Sequence, residues 1–177
     1  SMFRIRENEI ADAQTTADIW RIMLREIPPI AAEYFVGGAD DLTTLKANVL
    51  AFQQTLLAPP GAIKYKKLDT TTNVFGQELS LPFFVAPVGS LRTLWPMADA
   101  VASQVAGEFG TAMALSTLSQ TPMESVAEAS NGPNWFQLYL CGGAETAKRG
   151  ISRARDAGFS ALLLTIDTAV SGNRIVH

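Results

Sequence analysis

Histidine is nearly missing from this 177-residue chain: there is one, His177, and it stands last. That leaves no imidazole cluster for a metal and no partner for a Ser-His-Asp arrangement, so no metal site is expected. Cysteine is equally scarce. Cys141 alone excludes an internal disulfide framework and fits a reducing, cytoplasmic setting. No apolar run approaches the roughly 18 residues of a membrane span, and the start from Ser1 to Glu7 has no signal-peptide core. An excess of either charge is missing too. With 14 Lys+Arg against 17 Asp+Glu, nothing points to nucleic acid or an anionic surface as partner. Lys64, Lys66 and Lys67 accordingly read as a solvated turn. What is present is apolar: at 47% hydrophobic residues the chain can bury a core and reads as one globular domain.

The first sixty residues or so read as helices. Glu7 to Glu26 carries Ile10, Ala13, Ala17, Trp20 and Leu24 at helical spacing, and Pro28-Pro29 ends the run. A short segment from Ile30 to Phe35 stops at Gly37-Gly38, where a left-handed backbone is expected. Asp40 or Asp41 is placed to cap a third helix with Leu45, Val49 and Phe52 on its apolar face, closed by Pro59-Pro60-Gly61. An irregular stretch then runs to Asn73.

Beyond Gly76 the rhythm changes. Strands are predicted at 81–85, 111–115, 134–140 and 161–166, with helices at 96–109, 121–129 and 144–157 between them. The second of these elements, the helix from Pro96, is expected to turn Ala98, Val101, Ala102, Val105 and Ala106 inward. Strands apolar on both faces and alternating with helices belong to a parallel α/β sheet. An open doubly wound sheet would carry a glycine-rich turn after its first strand, and Ala86-Pro87-Val88-Gly89-Ser90 lacks that pattern. Polar residues gather instead at strand C-termini: Ser116 and Thr117, Gln137 and Tyr139, Thr165 and Asp167. Barrel enzymes keep their chemistry there. The expected architecture is an N-terminal helical segment and lead-in, 1–75, followed over 76–177 by the first four βα units of a TIM (β/α)8 barrel.

Six motifs in order carry a resemblance. They are the stretch from Tyr34 to Asp40, Val85-Ala86-Pro87-Val88-Gly89, Leu115-Ser116-Thr117, the stretch from Trp135 to Tyr139, that from Leu164 to Thr168, and Gly172-Asn173-Arg174. Together they resemble the FMN-dependent 2-hydroxy acid oxidases and dehydrogenases. The resemblance implies FMN as cofactor, with backbone groups of Ala86, Pro87 and Val88 and side chains of Ser116, Gln137 and Thr165 on the flavin. It implies Tyr34, Tyr139 and Arg174 around a small 2-hydroxy acid. A guanidinium suits that role because its planar fork matches a carboxylate with two parallel bonds. Asp167 belongs near the site with no assigned step. Leu118 stands where glycolate oxidases carry a bulky aromatic, which implies room for a lactate-like or larger acid.

Taken singly, these residues have ordinary readings. Ser116 and Thr117 would cap the next helix, Arg174 would be a solvated charge, and Cys141 an inert loop thiol. The resemblance also implies a histidine base on a complementary C-terminal half of the barrel, and homo-oligomers. His177 matches no motif position. A non-catalytic, ligand-binding half-barrel is the alternative reading.

Overall fold

Thr15 is why the first helix of the sequence is two. In the computed structural model, which describes residues 7–64, 66–168 and 170–174, α1 (Glu7–Ala11) stops and α2 (Thr16–Glu26) restarts. The Thr15 hydroxyl accepts from the Asp18 amide at 3.2 Å, and the Asp18 carboxylate accepts from the Thr15 amide at 2.9 Å. This reciprocal capping box satisfies two donors that an uninterrupted helix would not need to spend on side chains. Helix α3 (Pro29–Val36) has proline at its first position, where the lost amide costs nothing. It ends at Gly37, whose backbone is extended and not left-handed (φ −73°). Glycine is required there by closeness: a Cβ would lie 2.7 Å from the Glu33 carbonyl oxygen. Helix α4 (Thr43–Gln54) buries none of its residues, so the expected apolar face of Leu45, Val49 and Phe52 is not covered by described residues. Its N-cap position is Leu42, although Asp41 does accept from the Thr43 amide at 3.1 Å.

The chain separates into two compact units. One holds α1 to α4 together with the described tail, 170–174; the other runs from Ala62 to Thr168 among the described residues. Residues 62–75, read from the sequence as part of the N-terminal segment and lead-in, thus cluster with the sheet.

The sheet unit opens with a hairpin that the sequence reading missed, β1 (Thr72–Val74) against β2 (Gln77–Leu79). Its two-residue turn is Phe75-Gly76, both at positive φ (53° and 77°), the backbone that matches hairpin twist. The parallel sheet that follows has three strands in sequence order, β3 (Met113–Ser116), β4 (Asn134–Leu138) and β5 (Ala161–Leu164). Of the four predicted strands, the first is reduced to a single bridge. The Val85 amide donates to Ala112 and its carbonyl accepts from Ala114, both at 2.9 Å. Pro82 and Pro87 flank that bridge without amide hydrogens, which limits a longer ladder.

Helices α5 (Ala98–Glu108), α6 (Met123–Glu128) and α7 (Gly143–Asp156) follow the sheet's connections. Alternation along the strands sorts the core in two. Met113, Leu115, Phe136 and Leu138 pack with Ala106, Val126, Ala147, Ala154 and Phe159 on the helix side. Ala112, Ala114 and Trp135 pack with Leu79, Val74, Ala161 and Leu163 on the other, beneath the hairpin. The face of α5 turned inward is only partly the predicted one: Ala106 is buried and Ala102 packs against the core, as expected. Asp99, Ala100, Ser103 and Ala106 are buried, while Val101 and Val105 are exposed. Ser103 goes in because its hydroxyl finds the Asn134 amide oxygen at 2.7 Å, so a polar residue costs little there. Among the described residues no helix is long and apolar enough to cross a membrane.

Candidate cofactor and substrate site

On the Trp135 side of the sheet, the strand C-termini end in polar residues. Ser116, Gln137 and Thr165 each stand two positions beyond an inner residue (Ala114, Trp135 and Leu163), so pleating aims all three the same way. They form one hydrogen-bonded row. The Ser116 hydroxyl donates to Gln137 Oε1 at 3.2 Å, and Gln137 Nε2 donates to Thr165 Oγ1 at 2.7 Å. Ser116 and Gln137 are buried, and Thr165 is half-buried.

Thr117, left out of the predicted site, braces this row. Its amide donates to Gln137 Oε1 at 3.2 Å and its hydroxyl donates to the Gln137 carbonyl at 2.5 Å. The same hydroxyl accepts from the Tyr139 amide at 3.1 Å. Neither Ser116 nor Thr117 caps a helix: α6 begins after Pro122, without a side-chain cap. Only the register of β3 against β4, which pairs Ser116 with Gln137, makes the bracing visible.

Ala86, Pro87 and Val88 follow the Val85 bridge, and among the described residues their backbone groups make no hydrogen bond. Next to them, Gly89 packs so closely that an added Cβ would stand 3.0 Å from Leu118 Cβ and 3.7 Å from Ser116 Oγ. Leu118 itself is exposed. The loop after β3 is held from beneath by Asp99, fully buried in the first turn of α5. Its Oδ2 accepts from Ser119 at 2.8 Å and from Thr121 at 2.9 Å, while Oδ1 has no partner among the described residues. Tyr139, half-buried, is one residue beyond β4; Asp167 is exposed beyond β5.

Tyr34 and Arg174 belong to the helical unit and meet within it. Arg174 Nη1 donates to the carbonyls of Tyr34 at 2.7 Å and Gly37 at 3.3 Å, and the guanidinium carbon lies 4.6 Å from the centre of the Tyr34 ring. This is a cation on the carboxyl end of α3, where carbonyls lack helical partners and the dipole favours positive charge. The predicted trio is therefore placed as Tyr34 with Arg174 in one unit and Tyr139 in the other. His177 lies outside the described residues.

A flat, conjugated heterocycle fits the strand-end site on its own chemistry. The Gln137 amide keeps one Nε2 hydrogen beyond its bond to Thr165, its oxygen being filled by Ser116 and Thr117. Hydroxyls stand on either side of it, and among the described residues uncommitted backbone groups follow at Ala86 and Val88. Gly89 leaves the loop free of a Cβ where one would crowd Leu118.

The chain has relatives among known proteins. Residues 23–176 match the FMN-dependent dehydrogenase family. The chain is 32% identical over 170 residues to the 2-hydroxyacid oxidase of Dictyostelium discoideum, covering 96% of itself and 44% of that protein. It is 35% identical over 153 residues to glycolate oxidase 1 of Zea mays, covering 86% of itself and 42% of that protein. Among solved structures it is similar to a soluble mutant of the membrane-associated (S)-mandelate dehydrogenase of Pseudomonas putida. There the TM-score is 0.83 at 31% identity, over 89% of this chain and 45% of the other. The chain thus spans less than half the length of these relatives. Its α/β architecture corresponds to part of a TIM-barrel flavoenzyme, with no closed barrel among the described residues. By sequence and by fold, the chain belongs to the FMN-dependent dehydrogenase family.

Proposed function

We propose that this chain supplies part of the flavin site and the carboxylate clamp of an FMN-dependent enzyme. The enzyme oxidises an L-2-hydroxy acid, lactate-like or larger, to the 2-oxo acid. The observation that carries the reading is the Ser116–Gln137–Thr165 row, three strand ends joined by two hydrogen bonds at the sheet edge where barrel enzymes place their sites. Bound FMN supplies the two-electron sink. Gln137, its amide fixed between Ser116 and Thr165, orients the edge of the ring, and backbone groups of Ala86 to Val88 meet it from the neighbouring loop. Arg174 commits Nη1 to carbonyls, and its fork keeps Nη2 and Nε for an acid's carboxylate. Tyr34 and Tyr139 offer phenol donors beside the substrate. The exposed Leu118 favours acids larger than glycolate.

The relatives are more than twice as long as this chain, and the helix-side face of β5 leaves Leu162, Leu164 and, beyond the strand, Ile166 exposed. The complementary C-terminal half of the barrel, covering that face and bringing the proton acceptor, completes the proposal.

Titrating FMN into the purified chain while following flavin fluorescence tests the flavin assignment. Gln137→Leu is expected to weaken binding by roughly tenfold or more, because it leaves the flavin edge and the Ser116 and Thr165 hydroxyls without their partner. Circular dichroism should stay unchanged. Equal affinity in the two proteins would remove Gln137, and the row, from the flavin site.

A further inference from the structure

An arginine side chain is long and has many rotamers, so a guanidinium that must meet a carboxylate in one plane gains from being held beforehand. Arg174 is held at its tip by Tyr34 and Gly37, as described. The structure shows a second hold, on the backbone one residue earlier. The Asp40 amide donates to the Asn173 carbonyl at 2.9 Å, and Asn173 Nδ2 donates to Asp40 Oδ1 at 3.2 Å. These two bonds join the turn after α3 to a segment more than 130 residues later in sequence. The approach is tight: a Cβ on Gly172 would stand 3.2 Å from Ala39 Cβ. Ala39, Asp40, Gly172 and Asn173 therefore make a clasp directly before Arg174.

We propose that Asp40 and Asn173 are positioning residues that fix the Arg174 guanidinium over Tyr34 for carboxylate binding. This rests on the reading of Arg174 as the clamp. Asn173 supplies both a backbone acceptor and a side-chain donor, so it fixes the direction in which the chain leaves residue 173 as well as its distance from Asp40. Asp40 has further interactions of its own, which makes Asn173→Ala the cleaner lesion. Asp40→Asn is the conservative control, because an amide oxygen still accepts from Asn173.

The test uses oxalate, a small dicarboxylate, titrated into the whole chain labelled with nitrogen-15. The readout is the Arg174 Nε–H resonance, identified by its loss in Arg174→Lys. Oxalate should shift this resonance in the parent chain. Asn173→Ala should move it toward the position of a free arginine before any ligand is added, and weaken oxalate binding roughly 3- to 10-fold. Asp40→Asn should stay within about twofold of the parent. Helical circular dichroism guards against unfolding. Should Asn173→Ala lose helix, Asn173→Asp sets two carboxylates against each other and breaks the same bond without truncation. An Arg174 resonance and an oxalate affinity that ignore these substitutions would overturn the clasp while leaving the clamp intact. Oxalate that never moves Arg174 in the parent would overturn the clamp reading, and the clasp's positioning role with it.

Discussion

The two units hold their chemistry-bearing residues by different means. In the sheet unit, Ser116 and Gln137 are buried, and their positions follow from strand register and from a core that includes Trp135, Leu115 and Val126. In the helical unit the buried apolar residues among those described are Ile22, Ile27 and Ala32, and Tyr34 remains half exposed. Tyr34 and Arg174 are placed by hydrogen bonds to helix-end carbonyls and by the clasp between Asp40 and Asn173. Packing is cooperative, because displacing one core side chain disturbs its many neighbours; a set of surface hydrogen bonds yields one at a time. A group that must orient a bound cofactor permanently suits the first arrangement. A group that must admit and release a small acid suits the second.

The largest expected effect tests whether the sheet unit is cooperative in this way. Trp135 is fully buried, meets Phe84 and Phe75 edge-on with ring centres 4.7 and 5.2 Å away, and donates its indole N–H to Gln77 Oε1 at 2.9 Å. Trp135→Ala should cost about 3–5 kcal/mol, through lost transfer energy, the cavity left behind and the stranded Gln77 acceptor. Urea denaturation measures it. Amide exchange within α2 should be unaltered by the same substitution; if α2 loosens in step with the sheet, the contrast between the units fails.

Trp135 also shows what the sequence made legible. The parallel sheet was readable because β3, β4 and β5 are short apolar runs between helical patterns. The polar strand ends were readable because Gln137 stands near the end of β4 and Thr165 directly after β5. What stayed hidden were contacts that join distant segments. Nothing around Gln77 marks it as the partner of Trp135, and three-residue strands are too short to show alternation, so the hairpin went unread. The inward face of α5 was partly misread because apolar periodicity gives no credit to polar residues that find partners. Asp99 and Ser103 are buried for that reason, and Val101 and Val105 are displaced outward. Thr117 was weighed as a helix cap, its commonest use after a strand, when its actual partners are Gln137 on β4 and Tyr139 just beyond it.

A smaller effect tests the helical unit. The start of α2 is built on the Thr15 and Asp18 pair, where the Thr15 hydroxyl also donates to the carboxylate at 2.7 Å. Thr15→Ala should remove about 1 kcal/mol from the local stability of α2. Amides of α2 should exchange faster while the urea midpoint of the sheet unit stays put. Thr15→Ser, which keeps the oxygen, should restore most of the protection. A sheet midpoint that falls with Thr15→Ala would mean that the two units unfold together and that the surface-held unit is not locally independent.

The smallest effect concerns an interaction on which the units do not differ. Glu124 of α6 and Arg153 of α7 form a two-point ion pair on the surface of the sheet unit, with bonds of 2.7 and 2.6 Å. The Arg153 guanidinium, chiefly through those hydrogen bonds, pulls the Glu124 carboxyl down from 4.5 to about 2. Because the folded value is the lower one, the pair contributes its stability above the unfolded value near 4.5 and loses it as pH falls from there toward 2. Both side chains are about half exposed, at 47% and 56%, so water screens the pair and little of that shift reaches global stability. Carbon-13 titration of the Glu124 carboxyl should therefore show a large change in Arg153→Met, its midpoint returning toward 4.5, while the urea midpoint at neutral pH barely moves. The exposed pair of Arg25 with Glu9 in the helical unit should behave alike when cut, with no measurable loss of global stability. If cutting Glu124 from Arg153 instead unfolds the sheet unit, surface pairing contributes to that unit's cohesion, and burial alone is not what separates it from the helices.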